Sequence, residues 1–169
     1  MISKSTAGRM TRCGTNLYPP RRDAGDSKLG GGSMLELKPV LVDLSVVRAV
    51  LGQLPEAVED RIDNGDLRWV FDVSPGRCKI RALRVWSVCL SDPERAAKAS
   101  LGEVVSTAVG SGITNPWVAA VRIETRWMAS SQLIRRWRLL KLVESKIEGG
   151  RLWLLKDSLT RFLMHRVVI

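Results

Sequence analysis

Arg135, Arg136, Arg138, Lys141, Lys146 and Arg151 crowd one stretch near the C-terminus, with Ser145 among them. Guanidinium and ammonium groups at this density neutralise phosphate oxygens, and an Arg fork also matches the acceptor edge of guanine. The bland account of the same cluster is a solvated basic face. A second basic string, Arg77, Lys79, Arg81 and Arg84, lies mid-chain. It suits a grip on a nucleic-acid backbone or minor groove, and exposed strand charges explain it equally well. Material for catalysis is scarce. His165 stands without a neighbouring carboxylate or nucleophile, and there is no Gly-rich phosphate loop, dinucleotide fingerprint or Cys/His pair. Zinc needs about four ligands at regular spacing, which Cys13, Cys78, Cys89 and a single histidine do not offer. The expectation is a non-enzyme with free thiols, no metal and no cofactor.

The distribution of charge sharpens this. The chain carries 27 Lys+Arg against 17 Asp+Glu, a net charge of +10, which raises the odds of a polyanionic partner. Residues 1–34 are net +4, residues 35–92 net −1, residues 93–125 neutral, and residues 126–169 net +7. The ordered basic charge therefore sits in the last quarter. No apolar run approaches the roughly 20 residues that span a bilayer, and a cytoplasmic, nucleoid-associated protein is expected.

The elements that must position these residues follow from periodicity. Residues 1–33 are rich in Gly, Ser, Thr and Arg and lack an apolar period. They read as a disordered basic tail: a solvated segment, or even sequence upstream of the true start, ahead of an arm that touches phosphate. A first module covers 34–92. "DLSVVRAVLGQ" predicts a helix capped by Asp43 or Ser45, and "PEAVEDRID" a second helix opened by Pro55 and closed by a left-handed Gly65. "DLRWVFDV", the turn "SPGR" and "KIRALRV" predict a hairpin, and "WSVCL" a third helix. Residues 93–125 read as a helical connector, with Asp92 and Pro93 at its start; within it "WVAAVRI" is a strand or a buried segment. In the second module, 126–169, "SSQLIRRW" predicts a helix capped by Ser130 or Ser131. "KLVESKIE" predicts the next helix, with Leu139, Val143 and Ile147 inward and Gly149-Gly150 ending it. "RLWLL" is then a short strand, and Asp157 or Ser158 caps a last helix.

The two modules align as a repeat. Val47 and Leu51 match Leu133 and Trp137. After a one-residue deletion, Leu54, Val58, Ile62, Gly65 and Leu67 match Leu139, Val143, Ile147, Gly150 and Leu152. The predicted fold class is α+β, mainly α: two tandem winged helix-turn-helix-like modules with short hairpin wings.

Helix, turn, helix, Gly, short strand and a capped helix with Leu-x-x-Phe resembles the excisionase and MerR-like winged helix-turn-helix family. The residues carrying the resemblance are Gly150, Leu152, Asp157, Ser158, Leu159 and Phe162, and residues 41–90 resemble it more weakly. The resemblance implies a recognition helix in the major groove of double-stranded DNA. On the predicted helix the outward residues are Arg138, Lys141, Glu144, Ser145 and Lys146, with Arg135, Arg136 and Arg151 beside phosphates. Arg77, Lys79 and Arg81 are the wing contacts. The second helix of the first module exposes Glu56, Glu59, Asp60 and Asp63, which phosphates repel; helix 55–63 is expected to meet a protein partner or a second copy. Most of the six tryptophans are expected in the core, against a base-stacking platform for single strands. The implied function is sequence-specific DNA binding, as a transcription regulator or an excisionase-type recombination accessory factor. The rival reading is a non-catalytic protein-interaction adaptor, in which the basic face meets RNA or serves only solubility.

Overall fold

The computed structural model describes residues 38–76, 81–112 and 114–168, all within one compact unit, Met34–Ile169. The reading of residues 1–33 lies outside the described residues. The fold is α+β, with two small antiparallel three-stranded sheets and eight helices among the described residues.

The first half runs β1 (Leu41–Asp43), α1 (Leu44–Leu51), α2 (Pro55–Asp63), β2 (Val70–Asp72), β3 (Leu83–Trp86) and α3 (Val88–Ser91), in strand order β1-β3-β2. Local chemistry sets each boundary. The Asp43 carboxylate accepts from the backbone N–H of Ser45 and Val46, capping α1. Pro55 supplies the fixed φ of a first helical turn. Gly65 closes the turn after α2 at φ +76°, where a Cβ would be strained. Then come α4 (Pro93–Lys98), capped by Asp92, and α5 (Leu101–Val109), capped by Ser100. The second half runs β4 (Trp117–Ala119), α6 (Ala120–Arg126), α7 (Ser131–Leu139), β5 (Ser145–Glu148), β6 (Arg151–Leu155) and α8 (Lys156–Met164), in strand order β4-β6-β5.

A repeat is present, but in a different register from the one the sequence suggests. Strand, helix, helix, strand, strand, helix occurs twice with the same strand order. The partner of α1 is α6, and the partner of α2 is α7. Val42 then matches Val118, Val47 matches Ile123 and Val58 matches Ile134, a constant offset with every pair buried. The "connector" is thus partly second module: "WVAAVRI" is β4 running into α6.

Residues 141–148 overturn the expected second helix. They form a turn and then β5. Leu139, Val143 and Ile147 fit a helical stripe, but Val143, Ser145 and Ile147 equally fit the alternation of a strand, and so short a run is ambiguous. The neighbours decide. Lys141 adopts a left-handed conformation, φ +54°, that ends α7, and Gly149-Gly150, at φ +57° and +72°, make a two-residue hairpin turn. Glu148 pairs with Arg151 across it. So the Gly pair does not stop a helix, and β5 and β6 form a complete hairpin. Of the three expected core residues only Val143 is buried, 2% exposed, whereas Leu139 is 76% and Ile147 59% exposed. Val143→Ala is expected to cost about 1–3 kcal/mol in urea denaturation through lost methyl packing, and Leu139→Ala less than about 0.5 kcal/mol. Asp157 and Ser158 also differ from expectation: Leu155 stands at the cap of α8, and the buried Ser158 hydroxyl accepts from Glu144 N–H instead.

The halves are not separate domains. Strand alternation splits the first sheet between two cores. Val42, Val70 and Val85 pack under α1 and α2 with Val47, Val58 and Ile62. Leu41, Phe71 and Trp86 point the other way, into a core shared with Val118, Ile123, Trp127, Ile134, Trp137, Leu154, Leu159 and Phe162. Polar bonds cross the same boundary. Trp137 Nε1 donates to Val73 O at 2.8 Å, and the Arg84 guanidinium donates to Trp127 O and Met128 O, both at 2.8 Å. The C-terminal segment adds itself to the free edge of β2, with Asp72 N–H donating to Arg166 O and Val168 N–H to Val70 O. Trp69, Trp86, Trp127 and Trp137 are buried, as expected of core tryptophans. No helix among the described residues is long and apolar enough to cross a membrane.

Candidate nucleic-acid interface

The most basic exposed helix is α7. Ser130 caps it by accepting from Leu133 N–H. Ile134 and Trp137 anchor its inner side in the shared core. With 3.6 residues per turn, the opposite side is centred on Gln132 and Leu139 and flanked by Arg135 and Arg136, and Arg138 lies toward the edge. All five are exposed. Among the described residues none of these three arginines is in an ion pair. Three cations without a protein carboxylate are free to meet anions from outside.

The helix ends in a Schellman pattern. Lys141 N–H donates to Arg138 O, and Leu142 N–H to Trp137 O. The left-handed position is usually glycine, and here it is Lys141. Lys141→Gly is therefore expected to raise stability by up to about 1 kcal/mol in a thermal or urea melt.

The hairpin β5–β6 stands beside α7. One groove is lined by Arg135 and Ser131 of α7, Val121 and Glu124 of α6, and Gly150, Arg151 and Leu152 of the hairpin. Arg135 and Arg151, expected on phosphates, are thus brought together. Other expected residues are not. Ser145 is half-buried in the edge strand β5, opposite Leu154, and not on a helix face. Lys146 is also in β5, where Glu148 holds its ammonium at 2.6 Å and the Trp117 ring lies beneath it at 4.8 Å. Its charge is already partnered, so it does not belong with the exposed arginines. Lys141 stays exposed in the turn after α7, beside a cleft shared with Arg161, His165 and Arg166.

The first half makes the contrast. α2, the counterpart of α7, buries Val58 and Ile62 and exposes Glu56, Glu59, Asp60 and Asp63, as its sequence predicts. Aligned position by position, Glu59 stands where α7 has Arg135, and Asp60 where it has Arg136. Of the wing residues, Arg77 and Lys79 lie outside the described residues. Arg81 is bound to Asp72 at 2.9 Å. Burial pushes the Asp72 carboxyl up, but hydrogen bonds from Ser74 and Arg81 outweigh it and leave it below the usual carboxylate range. Arg84 is not available to a ligand, because its guanidinium is used between the halves.

Reading 141–148 as a helix leaves Gln132 out of the candidate residues, whereas the structure exposes it on α7 beside Arg135 and Arg136. The signal was present: a two-residue Gly-Gly turn flanked by alternating residues marks a hairpin, which leaves α7 as the basic helix before it. Among the described residues no group of three or more His, Cys, Asp or Glu is placed to hold a metal ion. Burial pushes the Cys89 thiol up to about 11, so it stays protonated and unreactive at neutral pH. Comparison with protein-family models, with curated proteins and with solved structures finds no match for this chain.

Proposed function

We propose that this chain binds double-stranded DNA without catalysis, with α7 as the helix that enters the major groove and the β5–β6 hairpin as its wing. In both halves a strand, two helices and a hairpin whose return strand is central support a winged helix-turn-helix reading. The observation that carries the reading is α7 itself: Gln132, Arg135, Arg136 and Arg138 exposed, no carboxylate paired to its arginines among the described residues, and a rigid attachment through Ile134 and Trp137. The major groove, about 12 Å wide, admits one helix. Gln132 and Arg136 lie toward the base edges, where amide and guanidinium forks match adenine and guanine. Arg135 and Arg151 hold a phosphate at the groove they share, and Lys141 and Arg138 meet the backbone farther along. The acidic α2 cannot take the same place, so only one of the two modules reads DNA.

The test is a titration of the purified chain against duplex DNA at two salt concentrations. Affinity should fall with log salt by about 0.9 units per phosphate neutralised, and a preferred sequence should persist at the higher salt. An affinity indifferent to salt, or no affinity for any duplex, overturns the reading. A transcription regulator and an excisionase-type accessory factor both suit this interface. A circular-permutation bending assay on the preferred site separates them, since the accessory factor must bend its DNA.

A further inference from the structure

Charge inversion between α2 and α7 creates two faces that fit each other. Each helix has a solvent-exposed face, with Glu59 and Asp63 of α2 also lining a cleft with Arg48 and Arg81, and Arg135 of α7 the groove beside the hairpin. On α2 the face is Glu56, Glu59, Asp60 and Asp63, and on α7 it is Gln132, Arg135, Arg136 and Arg138. The α7 face also ends in an exposed leucine, Leu139, 76% exposed. Laid antiparallel, the pair Glu59 and Asp60 meets the pair Arg135 and Arg136. The helix dipoles then oppose, which also favours the contact.

We infer that α2 of one copy docks on α7 of another copy, so that the chain self-associates head to tail through two different surfaces. A heterologous contact of this kind grows into rings or open chains rather than stopping at a twofold dimer. It covers the helix assigned above to DNA, so duplex and self-association compete for α7. Only this competition rests on the DNA reading; the docking itself stands on charge complementarity. Salt should weaken it, because both faces are solvent-exposed before contact.

Sedimentation velocity on the full chain tests it, with two doubly reversed variants: Glu59→Arg with Asp60→Arg, and Arg135→Glu with Arg136→Glu. At low salt the wild type should at least double its weight-average mass across a hundredfold concentration range, and high salt should reverse this. Each variant alone should remain monomeric, because its two faces now carry the same sign. An equimolar mixture should associate again, since one variant's basic α2 meets the other's acidic α7. Far-UV circular dichroism checks that both variants are folded, and Glu59→Gln with Asp60→Asn serves as a milder pair that should weaken association at least tenfold. A wild type monomeric throughout, variants that associate like wild type, or a mixture that stays monomeric each overturn the proposal. Adding duplex DNA to the wild type should dissolve the assemblies. If the chain associates as described but DNA neither binds nor dissolves it, the DNA reading fails and the docking stands.

Discussion

Arg136→Ala is expected to weaken binding to a preferred duplex by about 1–3 kcal/mol, roughly five- to 150-fold, and to relax preference at one base position. Gln132→Ala should behave the same way at a neighbouring position. Both side chains lie near the centre of the solvent face of α7, and neither is needed for its packing. Arg135→Ala and Arg151→Ala should instead weaken all sequences alike and reduce the salt slope by about one unit each, as loss of a phosphate contact does. Reversing Arg135 and Arg136 to Glu should abolish duplex binding, because two carboxylates would then face the phosphates. Glu59→Ala and Asp60→Ala should leave affinity unchanged or raise it slightly. Equilibrium binding of these variants to a panel of single-base-substituted duplexes gives the answer. If the two acidic-helix variants lose DNA while Arg136→Ala and Gln132→Ala bind like wild type, the reading helix is α2 and the assignment is wrong.

Trp137→Ala should be the most destabilising single change in the second half, by about 3–5 kcal/mol. Trp137 is fully buried, its ring lies 5.8 Å from Trp127 and 5.1 Å from Phe162, and its Nε1–H donates to Val73 O in the other half. The alanine variant loses ring packing and this bridge together. Trp137→Phe keeps much of the packing but leaves the Val73 carbonyl without that donor, for about 1–3 kcal/mol. Because both halves share the core around Trp137, the two should unfold in one transition in urea, followed by tryptophan fluorescence and circular dichroism. Two separate transitions would show that the halves are independent.

Much of the local structure was legible because it is written in short-range chemistry. Asp43, Pro55, Ser130 and Gly65 each act on backbone groups within a few residues, so the bounds of α1, α2 and α7 follow from composition and spacing alone. The acidic face of α2 was equally legible, since Val58 and Ile62 fix the phase and the carboxylates fall opposite. The second module was harder. Eight residues from Lys141 to Glu148 satisfy a helical and a strand period at once, and nothing inside that run decides between them. The choice came from its flanks, where Lys141 takes a left-handed conformation and two glycines fold a hairpin. Reading that run as a helix set Ser145 and Lys146 on a helix face where the structure has a strand, and left out Gln132, which is exposed on α7.

By itself, the sequence determined that this chain is α+β, that its basic charge gathers in the last quarter, and that α2 and α7 are amphipathic with opposite outer charge. These are properties of residue type and period, and they need no knowledge of what lies across the fold. The tertiary structure alone decided which arginines are free. Arg84 looks like Arg136 in a string of letters, yet its guanidinium is bound to two carbonyls of the other half, and Arg81 and Lys146 are each held by a nearby carboxylate. It also decided the register of the repeat and the merging of two modules into one core. The reason is the same in each case. Partners many residues apart in the chain set ion pairing and burial, and no local period records where those partners come to rest.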